Sequence, residues 1–246
     1  MTIQEKLQKQ YLQKLVSTPR GRAHVLSICV EGESNGEGQV FERALARVED
    51  PSVAKMIKRH QEDEILHTRL FQERLDAQGV AAPPVPDQLK LIDRLDAALG
   101  NVIDRRIETR EDIMHMYLVL QVIEERAITQ FGEIGPAFTA VDPETAETFA
   151  RVAKDEERHL KYCHAIAKRF APDAVTHDRE LARYRAVEAR VFAETTRDNM
   201  AWSLANGVVD FGFLGNLFWR GLATLNSRSQ PTMPTPYWHE HQLAAA

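Results

Sequence analysis

Cysteine is nearly missing from this chain: Cys29 and Cys163 are the only two in 246 residues. They lie far apart inside apolar, helix-periodic stretches, which is poor material for a disulfide framework, and a reducing cytoplasm is the expected setting. The opening MTIQEKLQKQ has no basic segment running into an apolar stretch, so no secretory leader is expected. A basic excess is missing too. With 31 Lys and Arg against 36 Asp and Glu, the formal charge is −5, and bulk electrostatics gives no reason to expect a nucleic-acid partner. Long uncharged runs are rare. The stretch 201–219 holds one formal charge, Asp210, and approaches the length of a membrane span, yet Asn206, Gly207, Asp210 and Asn216 argue against insertion. Packing on the rest of the chain or at a subunit interface is its expected role, with membrane-surface contact or a greasy substrate entrance as alternatives.

Glycine (12) and proline (11) are sparse and gather at a few junctions. Between those junctions apolar residues recur every three or four positions, so the chain reads as nearly all helix. A helix is predicted over 3–16, and Thr18-Pro19 supplies a cap and a first-turn proline for a second helix reaching about residue 48. Asp50-Pro51 starts another, which continues to Gly79 and meets the breaker Ala-Ala-Pro-Pro-Val-Pro at 81–86. A weaker helical stretch over 88–106 would carry the chain back before a helix over about 109–134. Asp142-Pro143 opens the next as Asp50-Pro51 did. Beyond Pro172 come a charged helix over 178–205, an apolar segment over 207–225 and a polar, proline-rich tail. The expected divisions are an N-terminal helix (1–18), a bundle (19–171), a helical extension (172–226) and the tail (227–246).

The two Asp-Pro helices share more than their start. In each, the proline precedes the glutamate of a Glu-x-x-His by 13 residues, giving Glu64-Ile-Leu-His67 and Glu156-Glu-Arg-His159. Residues three apart on a helix point the same way, so each pair can reach one metal ion. Their neighbours aim them inward. Ile57, His60, Glu64, His67 and Phe71 form one stripe, and Phe149, Val152, Glu156, His159, Cys163, Ile166 and Phe170 form another. The helix over 18–48 repeats the pattern with Leu26, Cys29, Val30, Glu33, Glu37, Val40, Phe41 and Ala44, and the helix over 109–134 with Tyr117, Leu120, Glu124, Ala127, Ile128 and Phe131. A carboxylate on an apolar stripe costs several kcal/mol or turns neutral unless a cation compensates it. Counted from the Asp-Pro turns, Glu33 and Glu64 are close to level and Glu124 and Glu156 differ by about one helical turn, which a hairpin loop can absorb, so six donors could converge on one layer.

This arrangement resembles the ferritin-like di-metal carboxylate family, whose site takes one Glu from each of two helices and a Glu-x-x-His from each of two others. The resemblance covers about 20–171. Val-Glu-Gly-Glu-Ser at 30–34 is similar to the first bundle helix of rubrerythrins and aldehyde-deformylating oxygenases, and Lys-Asp-Glu-Glu-Arg-His at 154–159 is similar to the fourth. It implies an all-α four-helix bundle with a long crossover, and the metal ligands Glu33, Glu64, His67, Glu124, Glu156 and His159. Glu31 and Glu37 compete with Glu33, and Glu125 competes with Glu124, whose apolar stripe is the cleaner. The cysteine set of a rubredoxin-like iron site is absent. His60 reads as a core histidine first and a donor behind the ligands second. Tyr117, Tyr162 and Cys163 flank the site and read as ordinary packing, and Trp238-His239-Glu240-His241 as an exposed tail.

Hard carboxylates with imidazoles suit iron or manganese. The implied cofactor is two iron ions, with manganese or a mixed pair as the alternative. The expected activity is an oxidoreductase that uses dioxygen or peroxide on a small organic substrate, with an external electron donor if it is an oxygenase. Iron handling by a ferroxidase or peroxide scavenger is the second expectation, and a metal-stabilised interaction bundle without turnover the third. A homodimer is among the expected assemblies.

Overall fold

The computed structural model describes residues 3–34 and 40–226, and among them there is helix but no strand. The helices are α1 (Ile3–Val16), α2 (Pro19–Ser34), α3 (Val40–Leu45), α4 (Pro51–Asp76), α5 (Leu91–Leu99), α6 (Arg110–Phe138), α7 (Pro143–Phe170), α8 (Ala174–Ala205) and α9 (Gly212–Asn226). Side-chain caps set most starts. The Asp50 carboxylate accepts from the Ser52 N–H ahead of α4, and Asp142 from Thr145 ahead of α7, each with proline in the first turn. The Thr18 hydroxyl accepts from the Gly21 N–H, and α6 opens on a reciprocal Thr109–Asp112 capping box.

Several boundaries differ from expectation for local reasons. The helix expected to run to residue 48 is represented by α2 and by α3, which stops at Leu45; positions 35–39, with the competing Glu37, lie outside the described residues. α4 ends at Asp76, short of Gly79, which takes the left-handed φ of 65° in the turn that follows. The return run is only a 3-10 turn (Asp87–Leu89) and α5, closed by Gly100 at φ 85°. α6 passes through Pro136 to Phe138. The lost backbone bond is offset by burial of Phe138 against Phe149, with ring centroids 5.5 Å apart. Gly135 permits that approach, because a Cβ there would stand 3.0 Å from the Phe149 Cβ.

α6 packs along α7, α2 along α4, and α4 against α7. Their apolar residues form two clusters at different heights. One holds Phe41, Ile57, Tyr117, Leu120 and Cys163; the other holds Leu26, Cys29, Phe71, Phe131 and Phe149. Along α4, α6 and α7 the acids and histidines fall between residues of the first cluster and residues of the second, and Glu33 follows the second-cluster residues of α2. A polar layer is thus held between two dry ones, and each fully buried large side chain above or below it stabilises the fold by roughly 1.5–3 kcal/mol.

α8 packs on α5 and α6 and adds Leu181, Tyr184 and Val191 to the first cluster, so the extension shares the core. α9 is held by Trp219, whose ring lies 5.4 Å from Tyr11 and 5.1 Å from Phe211, while Phe213, Leu214, Leu217 and Phe218 are exposed. Among the described residues, no helix is long and apolar enough to cross a membrane. The tail, with Trp238 to His241, lies outside the described residues.

Candidate metal centre

The helix stripes bring their donors together in the polar layer. α4 presents His60, Glu64 and His67, α7 presents Glu156 and His159, α2 presents Glu33 and α6 presents Glu124, all of them buried. Carboxylates and imidazoles alternate in a continuous chain. Glu33 Oε2 lies 3.4 Å from His67 Nδ1, which lies 3.1 Å from Glu156 Oε1. Glu156 Oε2 is 2.9 Å from His159 Nδ1, and that nitrogen is 3.0 Å from Glu64 Oε1. His60 Nε2 closes the line at 3.2 Å from Glu64 Oε1 and 2.9 Å from Glu124 Oε1. Two sets of donors, His60-Glu64-Glu124-His159 and Glu64-His67-Glu156-His159, each have ligand atoms within 4.8 Å of one another. Glu33 stands at the edge and joins through His67.

All six residues expected as ligands therefore meet in one layer. Of the competitors, Glu31 and Glu125, which are among the described residues, do not. Glu125 turns to α8, where Arg185 grips it through two contacts of 2.6 and 2.9 Å. Glu31 is half-buried beside α5, and burial together with the charge of Asp93 pushes it up to about 7. Tyr162 packs at the edge of the first cluster, Tyr117 is fully buried, and Cys163 Sγ lies 4.0 Å from His60 Nδ1.

Three residues of the site were not assigned to it from the sequence. His60, read as a core histidine, is indeed buried, but its Nε2 is a member of the donor chain. Asp63 and Asp155 stand behind the histidines: His159 Nε2 is 3.4 Å from Asp63 Oδ2, and His67 Nε2 is 3.5 Å from Asp155 Oδ2. Arg158 Nη2 ties both acids, at 2.7 and 2.8 Å. Carboxylates in these positions fix the tautomer, placing N–H outward and the Nδ1 lone pair inward. A signal was present, since both motifs read Asp-Glu-x-x-His.

The electrostatics of the bare layer follow from burial and proximity. For Glu33, burial and the charge of Glu64 hold the carboxyl well above its usual range; for Glu124, burial with Glu156 and Glu64 does the same. Burial works against the charged form of His67, but the Glu156 and Glu33 carboxylates outweigh it and push the imidazole up to about 11. His159 is raised likewise, against burial, by Asp63, Glu156 and Glu64. Burial would raise Glu64 and Glu156, yet the neighbouring imidazoles win: Glu64 falls to about 2, and Glu156 is also lowered, well below its usual range. Without metal, the raised imidazoles and the lowered carboxylates of the layer therefore offset one another's charge.

Four carboxylates, two neutral imidazoles and two divalent cations sum to zero charge. The residues fit such a pair on a second count. Glu64 Oε1, Glu156 Oε1 and His67 Nδ1 are buried and lack a hydrogen-bond partner although neighbours stand within 3.4 Å, which is costly for a purely hydrogen-bonded cluster. Carboxylate oxygens with imidazole nitrogens are donors for iron or manganese.

A cavity of about 270 Å³ opens beside the layer. Its walls include Ile28, Leu95, Leu120, Ile123, Ala127 and Phe192, and it reaches Glu33, Glu64, Glu124, Glu156 and His60. No protein-family model, curated protein or solved structure matches the chain.

Proposed function

We propose that this chain is a ferritin-like di-metal carboxylate oxidoreductase, holding two iron ions and using dioxygen or peroxide to oxidise a small, largely apolar organic molecule. The observation that carries the reading is the cavity. Its lining combines the four central carboxylates with a largely apolar wall, which suits an organic substrate, and Gln8, Glu31, Gln130, Glu133 and Glu188 add polar groups to the same cavity.

Glu64 approaches His60 and His159, and Glu156 approaches His67 and His159, which supports a role for both carboxylates in holding a metal pair. Glu33 with His67, and Glu124 with His159, would complete the two sides. When bound, a reduced iron pair supplies the electrons for activating dioxygen or peroxide. The chain's own residues do the rest. Asp63 and Asp155 hold the distal N–H groups of His159 and His67, keeping both rings aimed. Glu33 and Glu124 would hold metal in their charged form, which burial disfavours, and this couples metal affinity to pH. Leu120, Ile123 and Ala127 keep water from the cavity wall and orient the organic molecule toward Glu124. An external electron donor is required for repeated turnover if the reaction is oxygenation, and a homodimer is compatible with the exposed face of α9.

The test is oxygen uptake by reduced, iron-loaded protein in the presence of apolar alcohols, aldehydes and amines. Uptake should rise with a suitable compound and fall in Ala127→Phe, which fills the cavity, with iron content unchanged. Uptake that depends only on added Fe(II) and ignores Ala127→Phe would place the protein with iron-handling chains instead.

A further inference from the structure

We infer that His60 is a third imidazole ligand, so that the two metal positions are chemically unequal: one is built on two imidazoles, the other on one. The inference rests on the two-metal reading and deepens it by assigning a residue that the paired Glu-x-x-His motif does not contain.

His60 lies one turn before Glu64 on the same stripe of α4 and is 1% exposed. Its ring is held on two sides, stacked on His159 at 4.1 Å between centroids and packed on Phe41 at 4.8 Å. It has no room to swing away. The nitrogen facing the layer, Nε2, approaches Glu64 Oε1 at 3.2 Å and Glu124 Oε1 at 2.9 Å, and His159 Nδ1 approaches the same Glu64 oxygen at 3.0 Å. Two nitrogens and two carboxylate oxygens thereby converge from α4, α6 and α7. The other ring nitrogen, Nδ1, faces Cys163 Sγ at 4.0 Å. A proton on Nδ1 directed at that sulfur leaves the Nε2 lone pair pointing into the layer, as a ligand requires.

The other position has no such supplement. Around His67 the close donors are Glu33 and Glu156; His159 shares a four-donor set with His67, but its one inward nitrogen, Nδ1, can serve a single ion and meets the same Glu64 oxygen as His60 Nε2. A nitrogen-rich site discriminates more strongly in favour of later first-row divalent metals, whereas an oxygen-rich one accepts manganese more readily. His60 thus makes the His159 side the more selective of the two.

The experiment is an anaerobic titration of the full chain with Co(II), followed by visible absorption and by metal content after desalting. Wild type should bind two Co(II) in two resolved steps. His60→Ala and His159→Ala should weaken the same step, by on the order of tenfold to a hundredfold for His60, while His67→Ala weakens the other. His60→Gln keeps a buried donor able to reach Glu124 and guards against a mere folding defect, which circular dichroism would reveal. It should behave as His60→Ala. If His60→Gln restores wild-type binding, His60 only positions Glu124 and the inference is overturned. Two equal steps in wild type, or unchanged steps in His60→Ala, overturn it as well, with the two-metal reading intact. Fewer than two Co(II) per wild-type chain overturns both.

Discussion

Two kinds of buried or half-buried acid occur in this protein. On the α6–α8 side, Glu188 is gripped by Arg126 at 2.6 and 2.9 Å, and Glu125 by Arg185. In the polar layer, the close charged partners of Glu33, Glu64, Glu124 and Glu156 among the described residues are imidazoles rather than guanidinium or ammonium groups. The first kind carries a permanent cation supplied by the sequence. The second is balanced by protons, which a divalent metal can displace. The contrast separates a structural ion pair from a binding site better than burial alone, because all six residues of both kinds except Glu125 are buried.

The comparison can be broken first where the effect is largest. Arg126→Met should cost about 3–5 kcal/mol by stranding Glu188, with or without metal, and the double change Arg126→Met with Glu188→Leu should recover most of it. Urea denaturation measures both. Glu124→Gln is the counterpart in the layer. Burial and the nearby Glu156 and Glu64 raise the Glu124 carboxyl and so favour its neutral form, and this neutral replacement should shift metal-free stability by less than about 1 kcal/mol while weakening metal retention. A loss as large as that of Arg126→Met would erase the distinction.

Acidity sharpens it further. His67 is raised from 6.5 to about 11, so its contribution to metal-free stability is complete below pH 6.5 and lost as pH climbs toward 11. Glu33 and Glu124, also raised, add to that loss. Glu64 is lowered from 4.5 to about 2, so its contribution is complete above pH 4.5 and lost below it toward 2. The melting temperature of metal-free protein should therefore be highest near pH 4.5, fall above it as Glu33 and Glu124 lose their contribution and fall more steeply above 6.5 as His67 joins them, whereas metal retention should strengthen over that same rise because each ion displaces protons. Thermal melts across pH with and without Fe(II) check this. The smallest expected effect is at the supporting acids. Asp63→Asn and Asp155→Asn should each weaken metal binding by roughly tenfold to a hundredfold, without altering stoichiometry at saturating metal.

Much of this was legible in the sequence because helices make neighbours of residues three and four apart. The capped Asp-Pro starts, the apolar stripes and the preference for Glu124 over Glu125 all follow from that period, and Arg185 on α8 accounts for where Glu125 goes. What was illegible depends on contact between helices. Nothing local says that His60 would stack on His159, or that Asp63 and Asp155 would each stand behind the histidine of the other helix. The passage of α6 through Pro136 was hidden for the same reason, since the packing of Phe138 on Phe149 overrides a local breaker. The cavity, assembled from all the helices from α1 to α8, has no linear signature.

The most direct measurement is the iron content of protein loaded anaerobically with Fe(II) and desalted, together with its Mössbauer spectrum before and after exposure to oxygen. The account predicts about two iron ions per chain, ferrous before oxygen and ferric after it, with fewer retained in His67→Ala and in His159→Ala. Equal iron in wild type and both variants would contradict it.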